Sequence, residues 1–384
     1  MKPPSPADFG SRLRSPAVAA RVGVWLAVCF GICFLTGLVS HYAQNPDQPV
    51  SFPTSPAWGY RLTQGLHVTT GTAAVPLLLV KLWAVYPRLF ERPPVGRLRP
   101  LVLHALEKAS IGVLVGAAIF QLASGLANAA QWYPWTFSFR TAHYALAWIA
   151  VGALVLHIAV KLPVVRHVLS HDVDNADHDR ATATEVEALS RRGLLRSTWA
   201  AAAVAVLATA GSTVPLLRRV SVLGVRSGEG PAGIPVNKSA SAAGVTATAT
   251  SSAYRLELAH GDRELSFTRD ALLAMEQATE VLPIACVEGW SASGAWTGVR
   301  VRDLLDLVGA PRGADVVTIS LQESGPFRVT TLPGNFADDD RTLLALSLAG
   351  EPLALDHGYP CRLIAPNRPG VLQTKWVRRI EVVV

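Results

Sequence analysis

The chain of 384 residues predicts a two-part protein: an all-α transmembrane bundle of five spans followed by a soluble α+β domain. Three observations carry this. Five apolar runs of about twenty residues are nearly free of charge. Charged residues make up only 16% of the chain, against about a quarter in ordinary globular proteins, and the deficit falls before residue 220. From Tyr254 onward the texture changes to short alternating strands separated by turns.

The runs are Val22–Ser40, Gln64–Trp83, Ala109–Ala130, Thr141–Val160 and Ser197–Leu217. At about 1.5 Å of rise per residue, each reaches across a hydrocarbon core of about 30 Å. Lys2, Arg12, Arg14 and Arg21 precede the first run, and Arg88, Arg92, Arg97, Arg99 and Lys108 fill the 84–108 connection. The alternate connections, 41–63 and 131–140, hold only Arg61 and Arg140 as basic residues. The positive-inside rule therefore places the N-terminus in the cytoplasm, and the fifth span exports everything after it. Tyr42, Trp58, Trp132, Tyr133 and Trp135 are the expected anchors at the outer boundary of the bilayer. The net charge of +7 sits largely in the loops between spans, which argues for a lipid bilayer as partner and against nucleic acid.

The predicted segments are a cytoplasmic tail (1–21), a four-helix membrane domain (22–165), a cytoplasmic loop (166–196), the fifth helix (197–217), a linker (218–253) and the exported domain (254–384). The linker assignment rests on a stretch rich in Ser, Gly, Ala and Thr. Directly before the fifth span, Ser190-Arg191-Arg192-Gly193-Leu194-Leu195-Arg196 looks like a twin-arginine export signal placed inside the chain. A stop-transfer basic cluster would need no such residue order. That resemblance implies the twin-arginine export machinery as a partner, a domain folded before crossing, and a bacterial cytoplasmic membrane as location. Ala208-Thr209-Ala210 passes for a peptidase site, but the chain is expected to stay intact.

Ionisable residues inside a membrane are functional candidates by default. His67 lies three residues into the second span and His143 two residues into the fourth, at similar depth near the outer face. Two neutral imidazoles at one level on facing helices are what axial ligation of a b-type haem requires. His157 follows His143 by fourteen residues, just under four helical turns, so both rings point to about the same side. That spacing suits two stacked haems, with His104 as the candidate inner partner. Interior polar packing is the alternative for each histidine. His41 reads as interfacial. His167, His171 and His178 read as part of a solvated acidic loop. Gly65-Leu66-His67 and Trp132-Tyr133-Pro134-Trp135…His143…His157 together resemble the cytochrome b561-type four-helix family, which implies one or two b haems and exchange of electrons with quinone or quinol.

Only four cysteines occur, and no disulfide framework is indicated. Cys29 and Cys33 read as packing residues of the first span. Cys286 and Cys361 are open to pairing, which a metal-bound thiolate at Cys286 would preclude. In the exported part, Tyr254–Leu258 and Glu264–Phe267 read as a hairpin, and Thr268-Arg269-Asp270 opens a helix through Met275. Val281–Ala285, Val316–Leu321, Phe327–Thr331, Arg362–Ala365 and Val377–Val384 read as strands, with a helix over Arg302–Val308. About 130 residues suffice for one core.

Ile284-Ala285-Cys286-Val287-Glu288-Gly289-Trp290, followed by His357-Gly358-Tyr359-Pro360-Cys361-Arg362…Lys375-Trp376, resembles the molybdenum-cofactor domain of the sulfite oxidase family over about residues 250–384. The resemblance implies a molybdopterin-binding α+β fold. Cys286 would ligate the metal, Arg362 and Lys375 would bind the pterin phosphate, and His357 would contact the pterin. Gly233-Ile234-Pro235-Val236-Asn237-Lys238 resembles the segment before the family core, where an Asn contacts the pterin; a plain turn is the alternative for Asn237. Glu288 approaches the open positions of the metal or is an exposed loop acid. Arg328 is placed at the substrate mouth. The Arg-Asn-His segment that sulfite oxidases carry upstream is absent, and no immunoglobulin-like dimerisation domain follows Val384, so the domain looks closer to the compact bacterial branch. That branch includes a periplasmic methionine sulfoxide reductase served by a separate haem-bearing membrane subunit.

The resulting expectation is a membrane-bound, extracytoplasmic molybdenum oxidoreductase acting by oxygen-atom transfer on a small-molecule substrate. Sulfoxide or N-oxide reduction comes first and sulfite oxidation second. The competing expectation is a non-catalytic electron-transfer membrane protein with a docking domain.

Overall fold

The computed structural model describes residues 4–177, 179–224 and 230–383. Lys2, His178, Val384 and positions 225–229 of the expected linker lie outside the described residues. The chain divides into two compact units. One comprises Met1–Gly37, Leu66–Ala210 and Val220–Leu223, and the other Leu38–Gly65, Gly211–Arg219 and Gly224–Val384.

The helical unit is built from α1 (Pro16–Ala43), α2 (Gly59–Val85), α3 (Leu98–Ala129), α4 (Phe139–Leu169) and α5 (Arg191–Thr209), where α1 and α2 each extend beyond it at one end. All five are long and apolar enough to cross a membrane by length and composition. The pairing of α1 with α2 is antiparallel: Cys33 Sγ lies 3.2 Å from Thr70 Oγ1, and Lys81 Nζ donates to Ala19 O at 2.7 Å. Likewise α3 and α4 run antiparallel, since Gln121 Nε2 donates to His143 O at 2.8 Å and Lys161 Nζ to Glu107 Oε1 at 2.6 Å. Val18, Val22, Cys29, Ala74 and Leu77 form a buried cluster joined by Leu122 and Leu194. Small side chains in that cluster let the helices approach closely.

The fifth helix is displaced from its expected bounds. It starts at Arg191, capped by Ser190 Oγ accepting from Gly193 N at 3.0 Å, and its α-helical hydrogen bonding ends at Thr209. The chain then folds back: Leu223 N donates to Ala208 O at 2.8 Å and Ser221 Oγ to Leu207 O at 2.6 Å, satisfying end carbonyls the helix leaves open. Pro215, which has no N–H to donate, cannot continue the ladder. Arg191 is buried and donates to Arg12 O, Val173 O and Asn175 O, and it pairs with Asp179.

The β-rich unit holds two five-stranded sheets. The first runs β2 (Arg263–Phe267), β1 (Leu256–His260), β10 (Val377–Val382), β5 (Val316–Ser320), β6 (Val329–Leu332), with β1 and β10 parallel and the other pairs antiparallel. The second joins β3 (Ala278–Ala285), β4 (Ser291–Arg300), β7 (Leu343–Leu348) and β8 (Glu351–Pro352), with β9 (Arg362–Ile364) also on β7. Short helical segments in the unit include α6 (Thr246–Ala249), α7 (Arg269–Leu273), α8 (Val301–Leu307), α9 (Gly334–Ala337) and a 3-10 turn over Leu355–His357. The α+β expectation holds, and Thr268 caps α7 as its sequence suggests.

Two expectations change. The strands β4 and β7 were not foreseen. Leu343, Leu344, Ala345 and Leu346 are fully buried, the continuous apolar run of a central strand with no alternation to reveal it. A Cβ on Gly298 of β4 would stand 2.1 Å from Leu344 O, so this glycine permits the close approach of β7. Residues 231–253, expected to be linker, are instead packed: Ala240, Val245 and Ala249 are buried with Trp376, and Ile234 joins the β3–β4–β7 core. Small side chains that resemble linker composition here allow tight packing against an indole.

Candidate functional site

Cys286 stands where β3 ends. Its N–H donates to Trp290 O at 2.9 Å and its carbonyl accepts from Gly289 N at 3.0 Å, closing a tight turn in which Gly289 takes φ +85°. The turn returns directly into β4, whose Ser291 pairs with Ala285. Glu288 lies within this turn. Its Oε2 accepts from Trp290 Nε1 at 3.0 Å and stands 3.8 Å from Cys286 Sγ. Cys286 is 1% exposed, and burial, followed by the charge of Glu288, pushes its thiol up to about 12. The thiol is therefore protonated unless a cation stabilises the thiolate, as a metal does.

The second motif assembles around β9 and the loop to β10. Arg362 and Lys375 face each other across an isolated antiparallel bridge. Arg362 Nη1 donates to His357 O at 3.3 Å and its guanidinium lies 5.3 Å from the Trp296 ring centre, while its Nε has no partner. Lys375 Nζ donates to Lys238 O and Asp356 O, both at 2.8 Å. Both side chains are buried, and among the described residues neither forms an ion pair. Burial lowers Arg362 to about 9, which leaves it charged, and burial together with Arg362 lowers Lys375 to about 7. Gly358, at φ +114°, lets the chain pass: a Cβ there would stand 3.2 Å from Lys375 Cα.

His357 is buried, and its Nε2 lies 2.9 Å from Pro231 O, so Nε2 carries the proton and Nδ1 is an unsatisfied acceptor. Burial, then the nearby Arg362, lowers it to about 4 and keeps it neutral at pH 7. A buried guanidinium and a buried amine with no carboxylate at ion-pair distance are costly to hold charged, and a bound anion offsets that cost. The orphaned Arg362 Nε, the orphaned His357 Nδ1 and these two basic groups fit a phosphate-bearing pterin.

The other expected residues fall around this cluster with varying closeness. Asn237 is exposed and its Oδ1 accepts from Lys238 N, a turn contact, but the next residue supplies the carbonyl that Lys375 uses. Arg328 donates from Nε to Gln322 O at 3.0 Å, and Gln322 Oε1 accepts from Lys238 Nζ at 2.6 Å. The structure thus groups Arg328 with Lys238 on the Lys375 side of the cluster. The sequence reading missed Pro231, Lys238 and Asp356, which act through main-chain carbonyls and so carry no residue-type signal. It also missed Arg368, 2% exposed with Nη1 unpartnered, whose Nε and Nη2 donate to Leu372 O and Thr331 O. All four cysteines are free. Cys361 is buried against Tyr254, 3.1 Å from its hydroxyl.

In the helical unit, the rings of His67 and His143 are brought together, with centres 6.2 Å apart. Thr36 Oγ1 holds His67 Nδ1 at 3.1 Å, and Ser124 Oγ holds His143 Nδ1 at 3.1 Å. Gly37 and Gly125 flank the rings, where a Cβ would stand 3.4 Å and 3.7 Å from the respective Cε1 atoms. Two imidazoles on one metal require ring centres about 6 Å apart, from metal–nitrogen bonds of about 2 Å plus roughly 1 Å from nitrogen to ring centre on each side. The separation is compatible with two imidazoles that would hold one metal between them, each Nδ1 being engaged by a hydroxyl. His104 and His157 are arranged differently. With Glu107 facing Lys161, His157 stands opposite later turns of α3, and His104 lies roughly two turns, on the order of 10 Å, from that level. Among the described residues, no group of three or more His, Cys, Asp or Glu side chains is arranged to hold a metal ion.

Residues 243–384 match the family model of the oxidoreductase molybdopterin binding domain. Among curated relatives, a protein described as a protein-methionine-sulfoxide reductase subunit from Azospira oryzae is 33% identical over 117 residues, 30% of this chain and 44% of its own length. An uncharacterized oxidoreductase from Bacillus subtilis is 34% identical over 99 residues, 26% of this chain and 48% of its own. Sulfite oxidase from Arabidopsis thaliana is 30% identical over 113 residues, 25% of this chain and 29% of its own. The chain thus spans about half or less of the length of these relatives. Among solved structures, the sulfane dehydrogenase of Paracoccus pantotrophus aligns over 34% of this chain and 38% of its own at 26% identity, with a TM-score of 0.32. The C-terminal part is a molybdopterin-binding domain of oxidoreductase type, in agreement with the Cys286 and His357–Trp376 motifs.

Proposed function

We propose that the chain is a membrane-bound, extracytoplasmic molybdenum oxidoreductase that exchanges electrons with quinone through b-type haem and reduces a sulfoxide or N-oxide. The observation that carries the molybdenum reading is the buried pair of basic side chains, Arg362 and Lys375, without an ion-pair partner among the described residues, in the domain that presents Cys286 at a strand end. Arg362 and Lys375 would hold the cofactor phosphate, and His357, whose Nδ1 is without a partner, would contact the pterin. Cys286 supplies the thiolate, held in place by the Cys286–Trp290 turn. Molybdopterin, when bound, supplies two-electron oxygen-atom transfer at its metal. Glu288, whose Oε2 accepts from Trp290 Nε1, is held beside Cys286. Arg328 lines the approach from the Gln322 side.

Sulfoxide reduction is favoured over the reverse chemistry by the relative described as a methionine-sulfoxide reductase subunit. Relatives that are sulfite oxidases make sulfite oxidation the second reading. His67 and His143 hold one haem, with Thr36 and Ser124 fixing their tautomers. Arg191-Arg192 directs the folded domain outward across the bacterial cytoplasmic membrane.

Metal analysis of the detergent-purified chain is expected to find both molybdenum and haem iron, and absence of both from the wild type removes the proposal. Cys286→Ala is expected to abolish turnover linked to quinol or reduced viologen and to leave haem absorbance unchanged. Turnover that survives this change would favour the electron-transfer protein with a docking domain.

A further inference from the structure

The segment joining α1 to α2 is part of the β-rich unit and is stitched to it at several points. Thr331 N donates to Pro46 O at 2.8 Å, Asn335 Nδ2 donates to Phe52 O at 2.8 Å, and Arg341 Nη2 reaches Ser55 Oγ at 3.0 Å. Asn367 makes three contacts. Its Oδ1 accepts from Tyr60 N at 2.5 Å, its Nδ2 donates to Pro53 O at 2.7 Å, and its N–H donates to Ala57 O at 3.1 Å. The fit is close enough to constrain residue type: a Cβ on Gly59 would stand 2.9 Å from Asn367 Oδ1.

Tyr60 is the residue this latch positions. It is 5% exposed and packs with Ala43, Phe52 and Ala285, the last residue of β3 before Cys286. Its hydroxyl accepts from Gln44 Nε2 at 2.6 Å and Gln64 Nε2 at 2.5 Å, and Gln64 Nε2 also donates to Ser40 Oγ at 2.7 Å. Arg61 donates to Ser293 Oγ at 2.7 Å on β4, the partner strand of β3. A loop that merely connected two spans would leave its backbone to solvent. Here its polar groups bond β4, the turn that carries Asn367, and Thr331, Asn335 and Arg341 of the same unit.

We infer that residues 44–61 are a wall of the Cys286 site, with Asn367 as its latch and Tyr60 as the positioning residue that holds the end of β3. The site of the molybdopterin-binding domain is then completed by a segment encoded within the helical half of the sequence. Its meaning for electron transfer rests on the proposed function. His67, the haem ligand of that proposal, follows Tyr60 by seven residues in the sequence.

The test uses the full chain, produced without molybdenum cofactor, and measures alkylation of each cysteine by mass spectrometry. In the wild type Cys286 and Cys361 are both shielded. Asn367→Ala and Tyr60→Ala are each expected to raise the labelling rate of Cys286 roughly tenfold or more, because lost hydrogen bonds increase local opening. Cys361, in the core of the first sheet, should stay at its wild-type rate. Tyr60→Phe keeps the ring against Ala285 and should fall between wild type and Tyr60→Ala. Unchanged Cys286 labelling in Asn367→Ala and Tyr60→Ala overturns the inference. So does an equal rise at Cys286 and Cys361, which would report general loosening. Failure of the molybdenum reading would instead show as missing metal in the wild type, and it leaves the labelling result intact.

Discussion

Lys375 shows how a single side chain ties cofactor binding to stability. Lysines in an unfolded chain release their proton near pH ~10.4, whereas burial and Arg362 hold Lys375 at about 7. Below that value the folded, cofactor-free domain carries the full cost of the buried charge, and the cost is relieved as pH rises between the two values. Wild type is therefore expected to gain thermal stability relative to Lys375→Met between about pH 7 and about pH 9 when cofactor-free. With the phosphate bound, the protonated lysine has its anion and the trend should weaken. Melting curves of both proteins across this range provide the check, and a constant difference between them would contradict the lowered value. The same residue marks what was legible at this scale. Cys286, His357, Arg362 and Lys375 stand out by type and spacing. The carbonyls of Pro231, Lys238 and Asp356 that position them do not, because every residue has a carbonyl.

At the scale of elements, legibility followed periodicity. The hairpin of β1 and β2 and the capped start of α7 were readable because alternation and a threonine cap leave local marks. Buried on both sides, β7 has no alternation, and β4 is interrupted by Gly294 and Gly298. The start of α5 carries a separate lesson. Arg191 is both half of the export-signal pair and a buried clamp on three carbonyls and Asp179, whereas Arg192 pairs with Asp172 and Asp174 on the surface. Replacing both arginines by lysine is expected to leave the C-terminal domain inaccessible to protease added from outside, with the first four helices still inserted. Asp179→Asn tests the clamp alone and should lower stability without blocking export. Equal retention of the domain by both variants would mean that the clamp, and not a signal, explains the arginines.

For the whole molecule, the proposed haem binding makes the haem-to-protein ratio the decisive measurement. The His67–His143 pair has the separation and the hydroxyl partners that ligation needs, while His104 and His157 lie at different levels of adjacent antiparallel helices. One haem per chain is expected. It should be lost in His67→Ala and in His143→Ala, and retained in His157→Ala. Haem-to-protein ratios in the four proteins make the comparison. A wild-type ratio near two that falls to one in His157→Ala would restore the two-haem arrangement suggested by the fourteen-residue spacing.

Sequence alone determined the five apolar helices and the change to a strand-rich texture after them, because hydropathy and alternation over short windows are local properties of the chain, while the molybdopterin-binding reading came from the resemblance of the Cys286 and His357–Trp376 motifs to a known family. Tertiary structure decided what depends on contacts between distant segments. It showed that Ile234, Ala240, Ala243, Val245 and Ala249 of the expected linker are buried in core clusters, that the carbonyls of Pro231 and Asp356 engage His357 and Lys375, and that residues 38–65 belong with the β-rich unit. No local pattern announces that Tyr60 will lie against Ala285 or that Asn367 will bond Pro53, Ala57 and Tyr60. Those contacts arise only when the fold brings together positions separated by more than two hundred residues, each choosing the partner that satisfies its buried polar groups.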